Sequence, residues 1–161
     1  MSSSSQTSPP QTNSQFLSFA LTPKTQAMLP TQHLAETFNL DLSKIVQIPE
    51  IREKSVVGVC YWRGEVLWLV DIAYFLGFEP LLTPDYNQSK CGVLRVTTHG
   101  NTLGFLVESV GELIRIETAQ IQSSENTKID LNRNHCIQGT LANSFGENLL
   151  ILDIEEIFAS L

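Results

Sequence analysis

The chain has 161 residues, of which 42% are hydrophobic, so it is long enough to bury a core in one domain or in two small joined halves. Seventeen Asp and Glu against ten Lys and Arg give a net charge of −7, the wrong sign for binding nucleic-acid phosphates. The three cysteines, Cys60, Cys91 and Cys136, form no C-x-x-C pair, which argues against a zinc knuckle or a disulfide framework and favours free thiols in a reducing cytoplasm.

The N-terminal residues are polar and uncharged. Residues 1–15 also lack aromatic side chains, so nothing in them offsets the entropy of ordering the backbone. We therefore expect a disordered polar tail over 1–15 and an ordered domain over 16–161. The N-terminus has no secretory leader pattern, and the longest aliphatic or aromatic run, 66–70, is too short to span a membrane. The expectation is a cytoplasmic protein without direct membrane insertion.

From Phe16 onward, short apolar stretches recur between Gly, Pro, Asn and Asp residues, a pattern typical of β-strands. The pattern predicts strands over residues 16–21, 45–48, 56–62, 66–70, 92–97, 102–107, 113–116 and 148–152. Many short strands at close spacing favour a mainly β fold, built as barrels or a sandwich.

The predicted helices are few and short. Asp71 and Asp153 each follow a predicted strand, where a carboxylate accepts hydrogen bonds from the first amides of a helix. Gly77 is the expected stop of the first helix, and Glu156 is the expected capping-box partner in the second. A third helical turn is predicted around residues 32–38. The apolar stripe of the C-terminal helix consists of Ile154, Ile157, Phe158 and Leu161.

An internal repeat links the two capped segments. Residues 64–72 align with residues 146–154, 82 positions further on, with five of nine residues identical. Upstream, residues 56–59 match residues 136–140 loosely, with one more residue in the second turn. A duplicated unit of strand, turn, strand and capped helix predicts two similar subdomains packed together. Chance recurrence in a β-rich chain is the alternative.

The motifs of catalysis and of cofactor binding are missing from the sequence. Gly58 and Gly64 are six residues apart, and Glu65 stands where a phosphate-binding loop has Lys. No G-x-S-x-G is present, and the three histidines have no metal-ligand spacing. We expect neither enzymatic activity nor a cofactor or metal site.

The most informative stretch surrounds Arg63, at the turn between two strongly apolar strands. Its neighbours Tyr61 and Trp62 are aromatic, and Arg beside Trp and Tyr is typical of the residues that dominate binding at protein interfaces. The alternative is a surface Arg whose stem lies over Trp62 or Trp68. Composition alone leaves these two interpretations open.

At these residues the chain resembles the CheW-type coupling proteins of bacterial chemotaxis-like signalling. A second family motif, V-[DE]-x-V-x-x-[VL] after an apolar strand, is matched within residues 103–113, and a terminal strand and helix are matched at 149–158. The resemblance covers residues 16–161. The residues that match the central motif G-V-x-N-L-R-G-x-V-x-P-V-x-D are Gly58, Val59, Arg63, Gly64, Val66 and Asp71.

The chain departs from the family pattern at the same loop. Tyr61 and Trp62 replace the family's Asn and Leu, and Trp68 replaces its Pro, so the loop is bulkier and more aromatic. These changes point to partner specificity. Residues 29–31 also depart from the family's usual apolar strand that leads into a short helix.

The resemblance implies two small five-stranded SH3-like β-barrels packed around a shared apolar seam, with short helices that include a C-terminal one. It also implies a non-enzymatic adaptor that joins the regulatory domain of a CheA-type histidine kinase to the cytoplasmic tip of methyl-accepting chemoreceptors. The signal would serve chemotaxis, phototaxis or pilus motility. Barrel edges would meet the kinase, and an apolar groove between the barrels would accept receptor helices.

The resemblance further implies a set of partner-binding residues, of which Arg63 is the first. Glycines in tight barrels serve backbone geometry equally well, and Val107, at strand spacing, also fits the core. The full set is Arg63, Gly58, Gly64, Tyr61, Trp62, Leu34, Glu36, Gly104 and Val107. The alternative function is a β-barrel that binds a small molecule or an oligonucleotide, against which stand the charge and the lack of converging polar groups.

Overall fold

Two β-sheets make up most of the residues that the computed structural model describes, 13–123 and 133–161. The six-stranded sheet contains β1 (Asn13–Thr22), β2 (Thr25–Pro30), β8 (Ser109–Glu117), β9 (Gln122–Ser123), β10 (Ile137–Ala142) and β11 (Asn148–Leu152), in the order β8-β1-β2-β11-β10-β9. The five-stranded sheet contains β3 (Leu34–Asp41), β4 (Val56–Trp62), β5 (Glu65–Asp71), β6 (Lys90–Thr98) and β7 (Asn101–Val107), in the order β3-β6-β7-β5-β4. Two short helices, α1 (Ile72–Phe75) and α2 (Ile154–Ala159), follow β5 and β11.

The two sheets repeat one arrangement of strands. In the first, β11 pairs in parallel with β2 of the β1–β2 hairpin, and in the second β5 pairs in parallel with β7 of the β6–β7 hairpin. The sequence repeat lies at equivalent places, because residues 64–72 and 146–154 both run from a hairpin turn to the first residue of a helix. The predicted mainly β fold with two similar halves is confirmed.

Two glycines mark equivalent crossings of the chain. The register shifts between Val56 and Gly58 on β4 and between Ile137 and Gly139 on β10, as in a β-bulge. A Cβ at Gly58 would overlap with the carbonyl oxygen of Val46, and one at Gly139 would overlap with that of Gln122. Glycine therefore allows a third segment to reach the edge of each hairpin.

The largest hydrophobic cluster joins the two halves. It contains residues of both sheets and both helices, and each sheet has in addition a smaller cluster of its own. We call the joint cluster the shared core. Burying one large apolar side chain contributes about 1.5–3 kcal/mol, so this cluster is a large part of what holds the halves together. Fully buried members from both sheets include Phe19, Leu29, Val70, Phe105 and Leu152.

Both predicted helix caps are present. Asp71 accepts from the backbone N–H of Tyr74 at 3.2 Å and of Leu81 at 2.7 Å, and burial raises the pKa of its carboxyl. Asp153 accepts from the N–H of Glu156 at 3.1 Å. The predicted capping box is wrong, because the N–H of Asp153 donates to the carbonyl of Cys136 instead of to Glu156.

The predicted helical turn at residues 32–38 is wrong. Only Thr31–His33 form a 3-10 turn, and the chain then continues as β3. Burial alternates along β3, so the pattern has the period of a strand, but one of the inward positions is the charged Glu36. That polar residue hides the alternation.

The other differences from the predicted elements concern strands. Strand β1 begins at Asn13 rather than at Phe16, so residues 13–15 pair with β8, and the rest of the predicted tail, 1–12, lies outside the described residues. The predicted strand at 45–48 is a single bridge between Val46 and Val59. Strands β2 and β9 were not predicted. No helix in the described ranges has the length and apolar character that crossing a membrane requires.

We expect Gly139→Ala to lower the free energy of unfolding by about 1–3 kcal/mol, the usual cost of overpacking. The new Cβ would meet the backbone of Gln122, which cannot move without breaking the β9–β10 pairing. Urea unfolding measures the change. Gly92→Ala is the matched control, because its Cβ would come closest to two valine methyl groups, at 3.2 and 3.3 Å, and would lie at an ordinary contact distance of 3.7 Å from the carbonyl oxygen of Val107. Equal stability of the two variants would contradict the role of Gly139.

Candidate functional site

Arg63 forms the tip of the β4–β5 hairpin. Trp62 pairs with Glu65, so the loop contains only Arg63 and Gly64, with φ values of 53° and 81°. Positive φ at both positions is what a two-residue type I′ turn requires, and Asn-Gly is its usual sequence. A non-glycine residue seldom adopts this conformation. Arg63 is therefore held at the tip in a backbone conformation that its surroundings must stabilise.

The carboxylate of Glu36 accepts hydrogen bonds from three side chains at this tip. Trp62 donates from Nε1 to Oε1 at 2.8 Å, Arg63 from Nε to Oε2 at 3.1 Å, and Arg95 from Nη1 to Oε1 at 3.4 Å. The Trp62 hydrogen bond and the two guanidinium groups hold the pKa of Glu36 below its usual value. Arg95 also donates to Glu65 at 3.0 Å, so strands β3 and β6 are both linked to the β4–β5 hairpin.

Trp62 is fixed by its ring as well as by its N–H. The indole stacks on Phe38 of β3 with ring centroids 3.6 Å apart and an interplanar angle of 6°. The guanidinium carbon of Arg63 lies 5.7 Å from the centroid of the Trp62 ring. Aromatic pairs of this kind contribute about 0.5–1.5 kcal/mol beyond the area they bury. We call Glu36, Trp62, Arg63 and Arg95 the arginine site.

Arg63 remains open to an external partner. Its side chain is 68% exposed, and within residues 13–123 and 133–161 neither terminal nitrogen of its guanidinium has a hydrogen-bond partner. A guanidinium whose Nε is held in place presents a planar pair of donors in a fixed direction, which suits a carboxylate. Both interpretations of Arg63 therefore hold in part, because it lies near Trp62 and still presents its donors to solvent.

An apolar patch lies beside the arginine site. Tyr61 pairs with Val66, Val59 pairs with Trp68, and Val46 bridges to Val59, so these side chains share one face of the sheet. Tyr61 is 75% exposed and Trp68 is 41% exposed. Two residues beyond Trp68 on the same strand face, Val70 belongs to the shared core. We call Val46, Tyr61, Val66 and Trp68 the β4–β5 patch, an outward continuation of the seam between the halves.

The structure brings together only part of the predicted site. Arg63, Gly64, Trp62 and Glu36 meet at the hairpin tip, and Tyr61 lies beside them in the patch. The predicted site lacks Arg95, which pairs directly with Glu36 across β3 and β6. An Arg inside the apolar run of β6 was a usable signal for it. The stacking of Phe38 was missed because β3 was taken for a helical turn.

The remaining predicted residues are buried or half-buried, away from the arginine site. Val107 is fully buried in the shared core, and Gly104 is buried against the side chains of Leu67 and Leu69. Leu34 is half-buried and packs against the shared core. Gly58 is buried at the crossing with Val46. A partner docking on this surface would not touch Val107 or Gly104.

The cysteines do not add chemistry to this surface. All three are free and buried, as predicted for the thiols. Burial raises the pKa of each thiol, that of Cys91 to about 11. The thiolate, which is the reactive form of cysteine, is therefore disfavoured at neutral pH.

Two barrel-like halves with a joint core, and an exposed arginine tip beside an apolar patch, define a protein of the interaction or scaffolding class. The family profile described as CheW-like domain matches residues 15–161. The chain belongs to the CheW-like domain family, and the predicted membership is confirmed.

One solved structure shows how far the likeness of fold extends. The crystal structure of scaffolding protein TtCheW from Thermoanaerobacter tengcongensis is similar with a TM-score of 0.73 at 18% sequence identity. The match covers 90% of this chain and 92% of that chain, so the two folds correspond over nearly their whole length. No curated protein sequence matches the chain.

We expect Trp62→Phe to raise the pKa of the Glu36 carboxyl toward its ordinary value of 4.5, because the variant keeps a ring against Phe38 but loses the N–H donor. A lowered folded pKa means that Glu36 contributes stability above its unfolded pKa and loses this contribution as the pH falls through the folded value. NMR titration of the carboxyl groups measures the shift.

Asp41 is the internal control for this titration. Its pKa is lowered by hydrogen bonds from the Ser43 hydroxyl and N–H, which the Trp62 substitution leaves in place, so the Asp41 titration should be the same in both proteins. An unchanged Glu36 pKa in the variant would contradict the role of the indole N–H.

Proposed function

We propose that the protein is a non-enzymatic cytoplasmic adaptor that couples methyl-accepting chemoreceptors to a CheA-type histidine kinase, in chemotaxis, phototaxis or pilus-motility signalling. Membership of the CheW-like family supports an adaptor role. The observation that carries the proposal is the arginine site. There the half-buried carboxylate of Glu36 and the stacked indole of Trp62 fix the exposed guanidinium of Arg63 at the hairpin tip. Arg63 therefore has the features of a residue that binds a partner: it is exposed and its direction is fixed.

The position of the arginine site suits contact with the regulatory domain of the kinase, which the family resemblance implies has the same fold. Glu36 lies on β3 and Trp62 on β4, and these strands are the two edges of the five-stranded sheet. Edge strands have unpaired backbone groups that pair readily with another sheet, and on β4 the bridge from Val46 to Val59 occupies part of the edge. A partner barrel that paired with the β3 or the β4 edge could present a carboxylate to the two terminal nitrogens of Arg63.

The β4–β5 patch suits the helical tip of a receptor. It is apolar, it borders the seam between the halves, and an amphipathic helix buries its apolar face in this kind of surface. Tyr61 and Trp68 stand where the family pattern has Asn and Pro, and both rings are exposed. Aromatic rings add contact area at low entropic cost, so we assign these two departures to partner selectivity.

The alternative of a small-molecule or oligonucleotide barrel has less support. Each sheet encloses a cluster of buried side chains of its own, so the barrel interiors are filled rather than open to a ligand. The arginine site lies at the tip of the β4–β5 hairpin, and among the residues described Arg63 is its only cation with open donors. A single exposed guanidinium is a poor cradle for a polyanion.

We expect this chain to bind the regulatory domain of a CheA-type kinase from the same genome, with micromolar affinity typical of small signalling interfaces. Arg63→Glu should weaken binding by about thirtyfold or more, because removing an interface Arg of this type costs about 2 kcal/mol. Isothermal titration calorimetry at concentrations near 100 μM measures both, and thermal unfolding checks that the variant is folded.

Arg115→Glu is the matched control. Arg115 is exposed on β8, and its substitution gives the same change of charge away from the arginine site. It should bind as the parent chain does. Absence of heat with the parent chain would refute kinase binding. Equal binding by the Arg63→Glu variant would remove Arg63 from the kinase interface.

A further inference from the structure

A second surface, a cleft of about 300 Å³, is lined by Trp62 but not by Arg63. It forms where the end of β3 faces the end of β4. Lys44, from the 3-10 turn Leu42–Lys44, and Lys90, the first residue of β6, stand at its rim. The lining residues are Asn39, Leu40, Asp41, Lys44, Tyr61, Trp62 and Lys90. We call this the lysine cleft.

The lysine cleft is cationic in a protein whose net charge is −7. Both lysines are exposed, and within the described ranges neither ammonium group forms a salt bridge. The one acid in the lining is Asp41, whose Oδ1 accepts from Ser43 N at 3.0 Å and from Ser43 Oγ at 2.8 Å. Two ammonium groups and one carboxylate, which is hydrogen-bonded to Ser43, leave the cleft with a net positive charge.

One wall of the lysine cleft is aromatic and fixed in place. Trp62 is immobilised by its stacking on Phe38 and by its hydrogen bond to Glu36. Tyr61, 75% exposed, extends the wall outward. The cleft therefore offers apolar contact between two positive charges. Lysines act as point charges without the fork that selects phosphate, and the apolar wall favours an occupant with side chains of its own.

We propose that the lysine cleft binds an acidic loop of the same partner protein that engages the arginine site. Carboxylates of the loop would pair with Lys44 and Lys90, and an apolar side chain would pack against Tyr61. The cleft shares Trp62 with the arginine site, so one partner can engage both surfaces continuously. The identity of this partner rests on the proposed adaptor function. Exposed ion pairs are weak and screened by salt, so each lysine is worth about threefold in affinity at low ionic strength.

The test uses an acetylated, amidated hexapeptide, Glu-Glu-Leu-Glu-Glu-Leu, titrated into the ¹⁵N-labelled full chain and followed by NMR. The chain has two tryptophans, which makes the indole N–H signals a built-in comparison. The Trp62 indole lines the lysine cleft and should shift, whereas the Trp68 indole lies on the β4–β5 patch and should not. The same peptide with glutamine in place of glutamate should leave both signals unchanged.

Variants of opposite sign separate recognition from damage to the fold. Lys44→Gln and Lys90→Gln should each weaken peptide binding about threefold. Asp41→Asn should strengthen it by a similar factor, because it removes the opposing charge and Asn caps a turn as well as Asp does. Lys24→Gln, in the β1–β2 turn, should have no effect. The proposal is overturned if the glutamine peptide binds equally well or if Asp41→Asn weakens binding.

The outcome for the lysine cleft is separable from the outcome for the adaptor. If the kinase domain binds the parent chain while the peptide gives no shift at Trp62, the cleft proposal fails and the adaptor stands. If the peptide binds as expected and the kinase domain gives no heat, the cleft proposal stands and kinase coupling fails.

Discussion

The shared core is the constraint on which the rest of the structure depends. Neither half can bury all of its apolar side chains alone, because Phe19 and Leu29 from one half pack in the same cluster as Val70 and Phe105 from the other. The six-stranded sheet combines the first two strands of the chain with the last four, so it closes only when both ends of the described sequence are in place. The outer face of β4 and β5 then emerges from this seam as an exposed apolar surface.

At the hairpin tip, weak interactions act together. An exposed ion pair by itself contributes little, since solvent and salt screen it. Here one carboxylate receives two guanidinium groups and an indole N–H, and the indole is stacked on a strand of the same sheet. The network compensates for the positive φ of Arg63 and gives its side chain one direction. Pre-organisation of this kind lowers the entropy that binding must overcome.

The parts of the fold that sequence could predict are those set by local signals. The hairpin at 56–71 and the two aspartate caps depend on residues within a few positions of one another. By contrast, β3 contains an inward-facing Glu36, which makes sense only once Trp62 and Arg95 are brought beside it from other strands. Of the four residues of the arginine site, Trp62 and Arg63 were visible in the local sequence, and the family resemblance supplied Glu36. Arg95 and the Phe38 stacking depend on strand pairing that a single sequence does not show.

The repeat separates what the framework requires from what the site requires. The hairpin turn at 62–65 corresponds to residues 143–147, one residue longer, in which Asn143 Oδ1 accepts from the N–H groups of Phe145 and Glu147, both at 2.9 Å. Its tip has Phe145, 84% exposed, in place of an arginine. Both halves keep the glycine crossing and the aspartate cap, because those hold the strands together. The tips differ because the framework of strands does not depend on their side chains, so the arginine at the first tip belongs to the arginine site and not to the repeat.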